Sequence, residues 1–218
     1  FRGPAYVAKM IVVDQENQEI TVYDFRRAYS SLRPYGGKLI CLRNIKGSDA
    51  VSQLREADLE NAQIESLSGW EQVERVGALT GAADWTHQYG DIASSVKSAA
   101  RRVKLPLGIL WFGGSSHMDV LPRHGHGPPE QVIGGRLFIQ GMNSLNCRDV
   151  YTGEVLWKRE FEDLGTIDVY YDDTFKNTPL DPAYNQVHIP GANGRGTNYV
   201  AREDAVYLLE GDRCHVID

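Results

Sequence analysis

The sequence predicts a mixed fold, in which a partial α/β layer is followed by antiparallel β-sheets built from short strands. Residues 1–80 alternate apolar, β-branched runs with stretches of helical periodicity, which is typical of α/β structure. Beyond about residue 85 the helical periodicity ends, and short β-type runs separated by turn residues take over. We therefore predict an α/β portion over 1–80 and antiparallel sheets over 131–218, with an inserted loop at 162–196. Residues 81–130 are predicted to be a linker that leads into the first of these sheets.

The α/β portion begins with a predicted strand and a predicted helix. The apolar run from Ala8 to Asp14 predicts a strand in a mostly parallel sheet. The segment from Thr21 to Leu32 predicts a helix, because its apolar residues fall on one helical stripe: Val22, Phe25, Ala28 and Leu32. The run Arg33-Pro-Tyr-Gly-Gly37 ends this helix, since proline cannot continue it and glycine tolerates positive φ.

Three more elements are predicted in the same portion. Lys38–Leu42 is an apolar run and predicts a second strand. The stretch from about Ser48 to Glu65 predicts a second helix, with Ser48 or Asp49 as N-cap and a sparse apolar face: Val51, Leu54, Ala57 and Ala62. Trp70–Val76 mixes the apolar residues Trp70, Val73 and Val76 with polar ones, and we predict a half-buried strand.

A β-meander is predicted in the second half of the chain. The runs Gly135–Gly141, Leu145–Asp149 and Glu154–Phe161 each predict a strand. The dipeptide Thr152-Gly153 predicts the tight turn that leads into the third of these strands.

The start of this meander recurs later in the chain. Ala205–Gly211 is similar to 136–141, and Cys214–Asp218 is similar to 145–149, so about 69 residues separate the two copies. This spacing exceeds the roughly 40–50 residues that sheet repeats of this kind usually span. The surplus falls in 162–196, which is rich in Asp, Asn, Gly, Pro and Tyr and is predicted to be a long loop between the repeats.

Composition excludes several classes of protein. The chain has 218 residues, 42% of them hydrophobic, and a net charge of -6 without a basic block, so nucleic acid is not an expected partner. No run approaches the roughly 20 apolar residues that a membrane-spanning helix needs. Cys41, Cys147 and Cys214 are far apart and form no CxxC pair, so we expect structurally idle thiols and no zinc site.

We interpret the sequence as a fragment of a larger protein. It begins with Phe1 rather than Met, and it ends at Asp218 inside a strand-like run. The expected partners therefore include the rest of the parent chain, together with a small-molecule ligand. Both the periplasm and the cytoplasm stay open as compartments, although free cysteines favour a reducing one.

Part of the predicted meander resembles the blade repeat of quinoprotein-like β-propellers, which bind pyrroloquinoline quinone (PQQ). The similar run is Asp149-Val-Tyr-Thr-Gly-Glu-Val-Leu-Trp157, and its signature residues are Asp149, Thr152, Gly153 and Trp157. In the family this tryptophan docks each blade onto its neighbour. Asp84–Asp91 and Pro106–Gly113 resemble the entry segment of such propellers, so the resemblance covers roughly 84–218.

The propeller resemblance implies all-β blades and leaves the activity open. One alternative is a binding scaffold, since many propellers only hold partners. The other is a quinoprotein oxidoreductase that oxidises an alcohol or a sugar with PQQ and calcium. The loop acids Asp168, Asp172 and Asp173 are candidate calcium ligands and equally a solvated acidic loop. Trp111 and Trp157 are interpreted as packing residues rather than quinone-stacking residues.

Residues 1–80 resemble the C-terminal portion of a class I S-adenosylmethionine (SAM)-dependent methyltransferase. The resemblance is carried by Leu32-Arg-Pro-Tyr-Gly-Gly-Lys-Leu39, where Tyr35 is an extra residue, and by Gly69–Val76, which is similar to the late strands that close the family's sheet. The SAM-binding part of the family is absent from this sequence, so SAM binding would need the N-terminal methyltransferase half of the parent chain. The alternative function is thus a methyltransferase that carries the propeller as an interaction platform.

Two groups of polar residues are candidate sites. In Arg123-His-Gly-His-Gly127, His124 and His126 share one face of an extended segment and could bind a metal, with His87, His117 or His188 as further ligands. The other explanation is a connection whose histidines bond to backbone, and no metal is assigned.

The second group is Asp84 and His87, which would form an acid–base pair on a helix. The neighbouring Trp85 and Tyr89 favour simple packing there. Arg195, between two glycines, could meet an anionic ligand or lie at a flexible loop tip.

Overall fold

The computed structural model describes residues 3–14, 20–42, 50–114, 119–120, 129–165 and 198–218. The chain divides into two compact units, Phe1–Ala82 and Ala83–Asp218. In these described ranges most of the regular structure is β-sheet, in three sheets, with two short helices. No described helix has the length and apolar character needed to span a membrane.

The first unit contains a four-stranded sheet and both helices. Its elements are β1 (Met10–Val13), α1 (Val22–Ser31), β2 (Gly37–Leu42), α2 (Ala50–Glu56), β3 (Ala62–Leu67) and β4 (Trp70–Arg75). The strand order is β1-β2-β4-β3. β1 runs parallel to β2 through the α1 crossover, while β4 is antiparallel to both of its neighbours. The prediction of a mostly parallel sheet is therefore wrong, because a hairpin closes the sheet.

Helix α1 has well-defined ends. At its start, Thr21 and Asp24 form a capping box, in which the Asp24 amide donates to Thr21 Oγ1 (3.3 Å) and the Thr21 amide donates to Asp24 Oδ2 (3.1 Å). At its end, Leu32 is extended, with ψ 138°, and the chain then enters a turn that begins at Pro34. The helix predicted over 21–32 is confirmed.

The second helix is shorter than predicted. It ends at Glu56, and Ala62–Leu67 is strand β3 rather than the last part of a helix over 48–65. Asp58 and Asn61 have positive φ values of 46° and 55°, which a continuous α-helix does not allow. The apolar spacing from Leu54 to Ala62 therefore spans two elements that a turn separates.

The core of the first unit lies between the sheet and the two helices. Its buried members include Phe25, Leu32, Leu39, Leu54 and Val73. Two charged residues of β4 also face inward, since Glu71 is 2% exposed and Arg75 is 6% exposed. The predicted half-buried strand is present, but its buried face carries charges where apolar side chains were expected.

Arg75 is buried against the C-terminal end of α1. Its Nη1 donates to the carbonyl oxygens of Tyr29 (3.3 Å) and Leu32 (3.1 Å). Its guanidinium lies 4.9 Å from the ring centroid of Tyr29 and 5.4 Å from that of Tyr6. A cation at this point gives the last carbonyls of α1 a charged donor and complements the helix dipole.

The second unit contains two antiparallel sheets. The first consists of β5 (Gln131–Ile133), β6 (Arg136–Gly141), β7 (Ser144–Asp149) and β8 (Val155–Glu160), in sequential order. The second consists of β9 (Tyr199–Ala201), β10 (Val206–Glu210) and β11 (Arg213–Ile217). The strands predicted in 135–161 and in 205–218 are confirmed. Within the described residues, no sheet closes into a barrel or a ring of blades.

Both sheets of this unit share one hydrophobic core. It joins Phe138, Leu145 and Cys147 of the first sheet to Leu208 and Ile217 of the second. Trp157 and Phe161 pack against its margin. Each of the five core residues is at most 8% exposed, so the two sheets stabilise one another by burying apolar surface.

Candidate functional site

The turn from Asp149 to Gly153 is held by the Asp149 carboxylate and by backbone hydrogen bonds. Asp149 Oδ1 accepts hydrogen bonds from the amides of Tyr151 and Thr152, both at 2.9 Å. The Gly153 amide donates to the Asp149 carbonyl (2.9 Å), and the Asp149 amide donates to the Glu154 carbonyl (2.9 Å). Gly153 has φ +73°, which glycine adopts at little cost. The structure thus brings the signature residues Asp149, Thr152 and Gly153 together in a single turn.

The indole of Trp111 lies directly against this turn. A Cβ on Gly153 would stand 2.3 Å from Trp111 Cε3 and 2.5 Å from Cδ2, so no side chain fits at residue 153. Trp111 Nε1 donates to the carbonyl of Val150 at 2.9 Å. Packing against Gly153 and the hydrogen bond from Nε1 to Val150 therefore hold the Trp111 ring on the turn.

Trp157, the signature tryptophan, has a different position. It is half-buried, and its ring centroid lies 6.1 Å from that of Phe138 at an interplanar angle of 55°. The indole that contacts Gly153 belongs to Trp111, for which the sequence predicts only packing and no specific partner. The only sequence signal for this contact was the pair Leu110-Trp111 in the predicted entry segment. No sequence rule links that pair to a turn 42 residues later.

A buried polar network lies on one face of β7. Asn146 Nδ2 donates to the carbonyls of Asp119 and Ile139, both at 3.0 Å, and Asn146 Oδ1 accepts from Arg148 Nε at 3.0 Å. Lys158 Nζ lies 2.7 Å from Asp119 Oδ1, which raises the pKa of Lys158. Together these contacts fasten residue 119 to the sheet. The opposite face of β7, with Leu145 and Cys147, points into the shared core.

Side chains also link the two sheets at their first strands. Gln131 Oε1 accepts from the Ala201 amide (2.9 Å), and Gln131 Nε2 donates to the Tyr199 carbonyl (3.3 Å). The Tyr199 hydroxyl donates to the Pro129 carbonyl at 2.8 Å. Arg136 Nη2 donates to the carbonyls of the turn that follows β9. All of these groups therefore hold β9 against the first sheet.

Asp84 and His87 are not paired in the structure. Asp84 Oδ1 accepts from the Gly134 amide at 3.2 Å, and burial raises the pKa of this carboxyl, with the Glu203 charge adding to the shift. His87 Nδ1 lies 2.7 Å from Thr86 Oγ1. The flanking backbone bonds to β5 at Trp85 and then turns at Gly90. Each side chain thus has a local partner, and this segment is not a helix.

Several sequence-predicted candidates lie outside the described residues. They are Arg123, His124 and His126, together with His117, His188, Asp168, Asp172, Asp173 and Arg195. Among the residues that the structure does describe, no three His, Cys, Asp or Glu side chains are grouped as metal ligands would be. The geometry on the described part of the second unit is that of packing and docking contacts.

None of the protein-family profiles, curated proteins or solved structures compared with this chain matches it.

Proposed function

We propose that residues 83–218 are a repeat scaffold of the quinoprotein-like β-propeller type, whose role is to hold partners. The observation that carries this proposal is a repeated strand ladder. Gln131 pairs with Phe138 and Phe138 with Cys147, and residues 69 positions later make the same pairs, Val200 with Tyr207 and Tyr207 with Val216. Two sheets with one register that bury their faces against each other are what stacked repeats require.

The Trp111 contact supports the same proposal. In the family that the sequence resembles, the signature tryptophan, Trp157 here, is expected to dock each blade onto its neighbour, whereas the indole found against the glycine turn is that of Trp111. Here the Trp111 ring covers Gly153 and its Nε1 donates to Val150. The chemistry is local packing, which needs neither a cofactor nor an ionisable group.

We prefer the scaffold to the quinoprotein oxidoreductase because of how the ionisable side chains are distributed over the described residues. A calcium site needs six to eight oxygen ligands, and a quinone site needs charged groups around the ring. Among the described residues, no three His, Cys, Asp or Glu side chains are grouped as calcium ligands would be, and the candidate ligands Asp168, Asp172 and Asp173 lie outside them. We therefore propose no redox step for this part of the chain.

A second candidate concerns the first unit. The α1 crossover between parallel β1 and β2, closed by the antiparallel hairpin β3–β4, is an arrangement that doubly wound sheets with an antiparallel edge use. It supports the proposal that 1–80 is the end of a methyltransferase-like domain, with the sheets of the second unit as an interaction platform. Under this proposal SAM is bound by the parent protein and not by these residues alone.

The scaffold proposal is tested by a matched pair of glycine substitutions, Gly153→Ala and Gly211→Ala. Both glycines have positive φ, 73° and 59°, so each substitution costs roughly 1 kcal/mol of backbone strain. A Cβ on Gly211 would meet no atom within 4 Å, whereas a Cβ on Gly153 would overlap Trp111. We expect Gly153→Ala to cost about 1–3 kcal/mol more in urea unfolding, because overpacking adds to the strain.

The companion variant is Trp111→Ala. It should remove the difference between the two alanine substitutions, since the overlapping ring is gone. Equal effects of Gly153→Ala and Gly211→Ala with Trp111 present would contradict the docking that underlies the scaffold. Saturable binding of PQQ with calcium, or of SAM, to the 218-residue chain in equilibrium dialysis would favour the two enzymatic alternatives instead.

A further inference from the structure

The shared register assigns equivalent faces to the two sheets of the second unit. In the first sheet, Phe138 and Cys147 lie on the face that is buried in the core, and each is 0% exposed. Their equivalents 69 residues later are Tyr207 and Val216, which are 39% and 59% exposed. We call the face of the second sheet that carries them the forward face, and it comprises Val200, Tyr207, Leu209, Cys214 and Val216.

The second sheet meets the first with its other face. Val206, Leu208 and Ile217 point into the shared core, and they alternate along the strands with the forward-face residues. The two sheets are therefore stacked head to tail, with one face of each sheet directed forward and the other backward. Head-to-tail contacts continue from unit to unit, because every unit offers the next one the same kind of face.

The forward face is apolar across its middle, while Arg202, the equivalent of the buried Ile133, places an exposed charge at its edge. Val200 and Leu209 are 59% and 56% exposed, and cross-strand pairing places Val200, Tyr207 and Val216 in one row. None of its five residues is charged. Adjacent exposed apolar side chains on one sheet face mark an interaction surface rather than ordinary solvent contact.

Resting on the scaffold proposal, we infer that the forward face receives a further antiparallel sheet of the same repeat, carried by the same polypeptide. The forward face occupies positions equivalent to those by which the first sheet packs against the second. Its side chains differ, because Val200 and Leu209 stand where the first sheet has Gln131 and Gln140, and Arg202 stands where it has Ile133. The arriving sheet is thus held by apolar contacts without the amide clamp that Gln131 forms on β9.

A second copy of the chain is a poorer occupant. In head-to-tail order it would offer the backward face of its first sheet, which carries Asn146, Arg148 and Lys158 and already binds residue 119. Covering Lys158, whose side chain is 38% exposed, with the forward face would desolvate its charge against apolar side chains and the like-charged Arg202. An apolar face like that of Val206 and Leu208 has no such cost.

Cys214 is a built-in probe of the forward face. It is the one exposed cysteine of the three in the sequence, and it pairs with Leu209 across the strands. The test compares its alkylation by N-ethylmaleimide in the 218-residue chain and in a tandem chain. The tandem chain repeats residues 150–218 after Asp218, the equivalent of Asp149, and carries Cys214→Ser in the appended copy only.

We expect alkylation of Cys214 to be at least about tenfold slower in the tandem chain, because reaction would then require local opening. Val216→Lys in the first copy of the tandem chain should restore the fast rate, while Cys147 stays unreactive and reports an intact first sheet. An unchanged rate in the tandem chain overturns the inference. Protection that rises with concentration in the 218-residue chain also overturns it, since a second copy would then cover the face.

The outcome is independent of the scaffold test. Gly153 and Trp111 lie at the first sheet, so the alanine comparison at Gly153 and Gly211 can succeed while Cys214 stays reactive. That combination would retain the docked repeat and reject its extension. Equal costs of the two glycine substitutions, by contrast, would reject the repeat scaffold itself.

Discussion

The side-chain amide of Gln131 gives Ala201 the hydrogen bond that a neighbouring strand would otherwise supply. Its Oε1 lies 2.9 Å from the Ala201 amide nitrogen, and both residues are buried, with exposed fractions of 4% and 5%. β9 is at the edge of its sheet among the described strands, and this amide takes the place of a strand partner there. The Gln131 side chain therefore supplies hydrogen bonds to two backbone groups of β9, the Ala201 amide and the Tyr199 carbonyl.

Replacing this glutamine should loosen β9. Gln131→Leu keeps the approximate volume but leaves the Ala201 amide and the Tyr199 carbonyl without the bonds that Gln131 provides, at about 1–3 kcal/mol for a buried unpaired group. Hydrogen exchange of the Ala201 amide should accelerate about tenfold or more. The control is Gln63→Leu at an exposed position of β3, which should leave that exchange rate unchanged. Unaltered protection of Ala201 in Gln131→Leu would contradict the role of the clamp.

Arg75 should be a major determinant of the stability of the first unit. Arg75→Met removes the donor to the Tyr29 and Leu32 carbonyls and the cation between two tyrosine rings. We expect the free energy of unfolding, measured in urea, to fall by about 2–4 kcal/mol, because buried carbonyls lose a charged partner. Arg55→Met, on the exposed side of α2, should change it by less than about 0.5 kcal/mol.

Lysine at the same position separates charge from geometry. Arg75→Lys keeps the cation but lacks the planar guanidinium, which lies over an aromatic ring while its Nη1 donates to both carbonyls. It should recover only part of the stability lost in Arg75→Met. Full recovery would show that charge near the end of α1 matters and that the two hydrogen bonds do not.

Cys41 should make the first unit sensitive to alkali. Burial, with a contribution from the Glu71 charge, raises the pKa of Cys41 from 9.0 to about 12. Between pH 9 and 12 the unfolded thiol loses its proton while the folded one keeps it, so stability falls as the pH rises. Cys41→Ala should reduce that slope by up to about 1.4 kcal/mol per pH unit in urea unfolding.

The matched control for this pH dependence is Cys214→Ala, because the Cys214 thiol is exposed. Some slope should remain in Cys41→Ala, since burial also raises the pKa of Tyr29 to about 12. An identical alkaline slope with and without Cys41 would mean that this thiol is not protected in the folded chain.

Local patterns predicted much of the secondary structure. The apolar stripe and Thr21 located α1, and Gly153 and the alternating runs located β6–β8, because these signals act over a few residues. The helix over 48–65 failed for the same reason. Spacing alone could not register the turn at Asp58 and Asn61, where positive φ breaks the periodicity.

The contacts of the candidate site were less accessible to sequence reasoning. Trp111 meets a turn 42 residues away, and Arg75 reaches back 46 residues to Tyr29, so neither partner is implied by local spacing. Of the two inward charges of β4, Glu71 accepts a hydrogen bond from nearby Ser66, whereas Arg75 depends on the distant carbonyls of α1. Packing over such separations is decided by the assembled unit rather than by any single segment.

The repeated ladder has a consequence for how the chain reaches its structure. Residues 131–149 and 200–218 align without a gap, yet Asp149 and Asp218 are the one identical pair among nineteen. Tandem units with closely similar sequences are prone to exchange equivalent strands and misassemble. Here a strand exchange would put Ala205 in the place of Arg136, which donates to the turn after β9. It would also put Val200 in the place of Gln131, which accepts from the Ala201 amide. Divergence between the two copies therefore discriminates against misfolding while the hydrogen-bond geometry stays the same.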